Sequence, residues 1–214
     1  MALARALFNK PGAMVFSGLV FWVLAWVIDM WTHIETYGVN AGAHAHGGDA
    51  MLRINIPLTG APLIVFGLSM LIGSEALMKR GGFPLLVASF VLMVDGLLHA
   101  FAFNDHLGNL GSAAFFAFVA PLQIAVGVFL PFLPRRFDVP LALGTLGLLC
   151  LYAVSRASSF APLGWPEPVE ALDVFSKFCE VLFLVSILSV LQASRTRELR
   201  AAEAAPAAAP PAES

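Results

Sequence analysis

The chain has 214 residues, of which 59% are hydrophobic and only 12% charged, with a mean hydropathy of +0.83 and a formal net charge of −2. A soluble domain carries about 25% charged residues, so this composition excludes an ordinary water-soluble fold, while the small net charge says nothing about partners.

Windows of about 20 residues with almost no charge are long enough to cross a bilayer. Six are predicted, at 12–34, 55–77, 83–104, 111–133, 139–160 and 170–193, giving an all-α polytopic bundle with no room for a soluble domain. The first span follows Arg5 and Lys10. Its apolar stretch from Ala13 to Ile28 is long and no small-residue cleavage site follows closely, so it reads as a retained span. It ends in Asp29-x-x-x-His33. The loop 35–54 carries His44 and His46 in a Gly-rich stretch, and then Arg53. The second span leads to Lys79-Arg80. The third ends in Asp95-x-x-x-His99, with His106 just beyond it. The fourth has no charge and holds Gln123, a candidate for hydrogen bonding between helices. The fifth follows Arg135-Arg136 and holds Arg156. The sixth holds Asp173, Lys177 and Glu180 at i, i+4, i+7, so three charges share one face. Cys150 and Cys179 both fall inside spans, which leaves no disulfide framework. Residues 1–200 form a single membrane domain, and the Ala/Pro-rich tail 201–214 is predicted to be disordered.

Orientation follows from Lys and Arg. Nine of the twelve basic residues (all but Arg53, Arg156 and Lys177) flank the spans on one side. That side is assigned to the cytoplasm, with both termini there and the protein in the cytoplasmic (inner) membrane. All five histidines then fall on the outer side. Short matches between spans one and three, two and four, and three and five point to repeated two-helix hairpins, as in parallel transporter repeats. Prolines and arginines also favour helix starts on the cytoplasmic face without any duplication.

An intramembrane carboxylate is costly, so one beside a histidine at helical spacing marks a functional site. Residues four apart share a helix face. If the two D-x-x-x-H pairs lie at matched depth on parallel helices, Asp29, His33, Asp95 and His99 converge near the outer face, with His46 or His106 completing the set. Imidazole with carboxylate suits zinc, copper or non-haem iron, and copper or zinc handling or a metal-dependent redox role would follow. The same positions of His33 and His99 suit the two axial ligands of haem b in an electron-transfer subunit. A non-catalytic accessory subunit of a larger membrane complex or a homo-oligomer, and a transporter, are the further readings; whether the chain is an enzyme stays open. Arg156, Glu167, Asp173, Lys177 and Glu180 read as structural ion pairs between the last two spans, and Glu75 with Lys79 as an i, i+4 pair. Nucleic-acid binding is not supported, since the basic residues serve as membrane anchors, and no P-loop, G-x-G-x-x-G or nucleophile elbow is present.

Two resemblances add to this. The run from His99 through Asp105-His106, Phe115-Phe116 and Gln123 to Tyr152-x-Val154-Ser155-Arg156 and Pro166-Glu167-Pro168-Val169 resembles a widespread group of small bacterial multi-spanning proteins without established function. It implies a shared arrangement of His99, His106, Arg156 and Glu167, and no chemistry. That group often has four spans, so the first hairpin departs from it. Asp29-x3-His33-x12-His46 is similar to the copper-binding D-x3-H-x12-H of the C subunit of particulate methane and ammonia monooxygenases, and that likeness, three residues long, implies copper.

Overall fold

The computed structural model describes residues 9–38, 50–157 and 169–204. Within them lie seven α-helices and two short 3-10 turns, and no strand. The helices are α1 (Lys10–Tyr37), α2 (Ala50–Ile72), α3 (Ser74–Arg80), α4 (Phe83–Asp105), α5 (Leu110–Phe129), α6 (Asp138–Ala157) and α7 (Ala171–Ala204). All but α3 are long and apolar enough to cross a membrane. The chain is an all-α helical bundle and an integral membrane protein, as its composition predicts.

Local chemistry sets the helix ends. The Asn9 side chain caps α1 by accepting from the Gly12 N–H at 2.8 Å, and Pro11 occupies the first turn, where its missing donor costs nothing. Asn109 caps α5 in the same way through the Gly111 and Ser112 amides. Gly73, at φ +79°, breaks the second predicted span into α2 and α3; only glycine adopts this backbone without strain. Two boundaries move appreciably. Helix α2 begins at Ala50 rather than near residue 55, which draws Arg53 out of the predicted loop and into the bundle. Helix α7 continues past the sixth predicted span to Ala204, so the first residues of the predicted disordered tail are helical; residues 205–214 lie outside the described residues.

Helix α4 is the hub. It packs against α1, α2, α5 and α7, and 72% of its most apolar window is buried, against 11% for α1 and for the fifth span, which therefore face lipid. Helices α1 and α2 run antiparallel. At the basic end Gly67 of α2 meets Pro11 and Val15 of α1; at the other end Arg53 of α2 meets Asp29 of α1. The α4–α5 contact is the most extensive. A Cβ on Gly127 would lie 2.4 Å from Met93 Cγ, and one on Gly96 would lie 3.0 Å from the Ala120 carbonyl oxygen. Small residues here let the backbones approach, and the Ser89 hydroxyl bonds across to the Gly127 carbonyl. This contact carries Gln123 onto α4.

The basic end is locked by polar contacts. Arg80 grips Asp138 through two hydrogen bonds of 2.9 and 2.5 Å and also donates to the Leu133 carbonyl. Arg135 and Arg197 both donate to the Lys79 carbonyl, and Lys79 pairs with Glu75 at 2.7 Å, as its spacing predicts.

Candidate functional site

Asp95 and His99 occupy successive turns on one face of α4, and three neighbouring side chains close on them. The Gln123 amide spans the pair. Its Nε2 donates to Asp95 Oδ2 at 2.7 Å, and its Oε1 lies 2.6 Å from His99 Nδ1. Turning the amide over would set its oxygen against the carboxylate, so Asp95 fixes the amide orientation. The amide in turn makes His99 Nδ1 the donor and leaves the lone pair on Nε2. Ser176 of α7 donates to the other Asp95 oxygen at 2.6 Å. One turn beyond Ser176, Glu180 completes the cluster.

One nitrogen of His99 and one oxygen each from Asp95 and Glu180 lie within 4.8 Å of one another, and all three residues are buried. They are the only such group of three His, Cys, Asp or Glu among the described residues. Glu180 is 2% exposed. One of its oxygens contacts the Lys177 ammonium; the other is buried with no hydrogen-bond partner. Leaving such an acceptor unsatisfied costs about 1–3 kcal/mol. Asp95 lies ten residues from the end of α4, about 15 Å along the axis, so the cluster sits near the middle of the helix rather than at its end. A cavity of about 140 Å³ runs down to it from the end carrying His106 and Glu170, and His99, Lys177 and Glu180 line its floor. Beyond Glu180, toward the basic end, Phe183, Ile187 and Val190 are fully buried in the apolar core and close the floor.

The other D-x-x-x-H pair lies elsewhere. Arg53 holds both oxygens of Asp29, through Nε at 2.8 Å and Nη2 at 2.9 Å, and reaches Asp105 through Nη1 at 2.5 Å. Asn104 also donates to Asp29, at 2.8 Å. His33 Nδ1 is 3.5 Å from Asp105 Oδ1. Both oxygens of Asp29 are thus committed to a buried guanidinium. The reason is helix register. Helices α1 and α4 are parallel, but Trp26 bonds to the Ala100 carbonyl and Asp29 to Asn104, at sequence offsets of 74 and 75. Bringing Asp29 level with Asp95 requires an offset of 66, so the pairs miss by eight or nine residues, about 13 Å. The expected centre of Asp29, His33, Asp95 and His99 is not assembled. The two histidines expected as an axial pair likewise face different clusters, His33 against Asp105 and His99 against Gln123.

His106 caps the end of α4, with Nδ1 2.7 Å from the Ala102 carbonyl oxygen. It shares the Phe116 ring with His99, at centroid separations of 5.1 and 5.6 Å, and lines the upper cavity, but it is not one of the three clustered residues. His44, His46 and Glu167 lie outside the described residues. The lock between the last two spans is present as Arg156 to Asp173 at 2.6 Å. Lys177 pairs with Glu180, one turn on within α7 rather than between the last two spans. Sequence reasoning gave no role to Ser176, Asn104 or Asp105 and treated Arg53 as a loop residue. One signal was available: Arg53 is flanked by Met51, Leu52, Ile54 and Ile56, an apolar setting unusual for a loop arginine.

No family model, curated protein or solved structure matches the chain.

Proposed function

We propose that this membrane protein binds a divalent transition metal at Asp95, His99 and Glu180, near the mid-depth of the bilayer. The observation that carries the reading is the approach of three buried ligand-type atoms to within 4.8 Å, with a Glu180 oxygen that has no hydrogen-bond partner. Buried polar atoms are almost always satisfied, and a cation would satisfy this one. One imidazole and two carboxylates, with no thiolate among them, form a donor set for zinc, iron(II) or manganese, and for copper(II) more than for copper(I). Zinc is the first choice, since it takes nitrogen and oxygen donors without a redox partner. Gln123 and Ser176 would hold the ligands from behind, the usual role of hydrogen-bonding neighbours at metal sites. The basic end faces the cytoplasm, by the distribution of Lys and Arg. The cavity then opens outward, and the apolar floor beneath Glu180 supports metal capture from outside over conduction.

The test is metal content. Protein purified without a His-tag and equilibrated with zinc should retain close to one ion per chain, and Asp95→Asn, His99→Ala and Glu180→Gln should each lose it. A folded wild-type protein without zinc, or variants that keep it, would overturn the reading. A Soret band in the same preparation would point to haem instead.

A further inference from the structure

Resting on that metal reading, we propose that Lys177 is a tethered competitor for the ion. Its ammonium occupies the position of a cationic partner to Glu180, and an arriving dication must displace it. Lys177 stands one turn before Glu180 on α7 and contacts one Glu180 oxygen. It lines the same cavity, with its side chain 18% exposed, so it has room to move. A second cation-attracting group borders that same position. The ammonium lies 5.0 Å from the centroid of the Tyr152 ring, and a ring face attracts a cation. Arg156 lies over the same ring at 5.1 Å and is anchored to Asp173, which helps hold Tyr152 in place.

The charge balance gives the direction of the effect. The cluster sets two carboxylates, Asp95 and Glu180, against one ammonium, Lys177. A dication neutralises both carboxylates and repels the ammonium, which stays tethered nearby. Lys177 therefore lowers affinity, yet keeps Glu180 from standing as an unpaired buried charge when no metal is bound. That trade suits a site that takes up and releases its ion, with Lys177 tuning the affinity that the three ligands provide.

The experiment is zinc titration of full-length wild type, Lys177→Met and Lys177→Arg, with thermal unfolding of each measured with and without zinc. Lys177→Met should bind zinc at least tenfold more tightly, and its unfolding temperature should be lower than that of wild type without zinc and rise more with it. Lys177→Arg keeps the ion pair and so guards against a folding failure of the methionine variant. Its two-pronged grip on Glu180 should weaken zinc binding at least threefold. Equal or weaker binding by Lys177→Met, or equal or tighter binding by Lys177→Arg, overturns the role of Lys177 while leaving the metal site standing. If no version binds zinc, the metal reading and this inference fall together.

Discussion

Replacing Arg53 with leucine tests how α1 is held to the bundle. Arg53 is 4% exposed and makes three charge-assisted hydrogen bonds, two to Asp29 and one to Asp105. Its side chain also lies over the Phe101 ring at 5.7 Å. Removing one partner from a buried ionic cluster costs about 3–5 kcal/mol, mainly because the remaining charge is left uncompensated; here two carboxylates are stranded. For a chain of this size each kcal/mol shifts the unfolding temperature by about 2–4 °C, so Arg53→Leu should lower it by about 6–20 °C. The assay is loss of helical circular dichroism on heating in mild detergent. Converting Asp29 and Asp105 to leucine in the same chain should restore more than half the loss, because an apolar cluster of similar volume replaces a buried ionic one at little cost. A drop of less than about 3 °C in Arg53→Leu, or a triple variant no more stable than the single one, would refute the reasoning.

Three further outcomes follow from the geometry. Gln123→Leu removes the amide that joins Asp95 to His99 and should weaken zinc binding about 10–100-fold, as read by isothermal titration. Asp29→Asn should lower thermal stability while leaving zinc stoichiometry unchanged, since Arg53 already holds both Asp29 oxygens; loss of the ion would mean that the first D-x-x-x-H pair is a ligand after all. Gly127→Leu drives a side chain into Met93 at the α4–α5 contact and should sharply reduce folded yield in detergent, whereas Gly147→Ala, with open space around it, should change stability by no more than about 0.5 kcal/mol.

The six spans were legible because crossing a bilayer demands a length and an apolarity that composition alone reveals. The pairing of Asp95 with His99 was legible from helical spacing, and so was that of Glu75 with Lys79. What the spacing within one helix cannot set is the sliding of one helix along another. That register depends on side-chain packing, here the Trp26 bond to the Ala100 carbonyl and the Arg53 clamp on Asp29. Two identical motifs on parallel helices therefore ended about 13 Å apart in height. Arg53 was misplaced for a related reason. A lone arginine at the edge of an apolar window reads as a boundary, although a bundle with two carboxylates nearby can bury it. Ser176 had no signal of its own; its role exists only because α7 runs antiparallel to α4 at that level.

The most direct measurement is a crystallographic or X-ray absorption study of zinc-loaded protein at the zinc edge. A single ion with one nitrogen and at least two oxygen ligands is expected among Asp95, His99 and Glu180, with the Lys177 ammonium moved away from Glu180. An ion beside Asp29 and His33, or anomalous signal only at exposed surface residues, would contradict it.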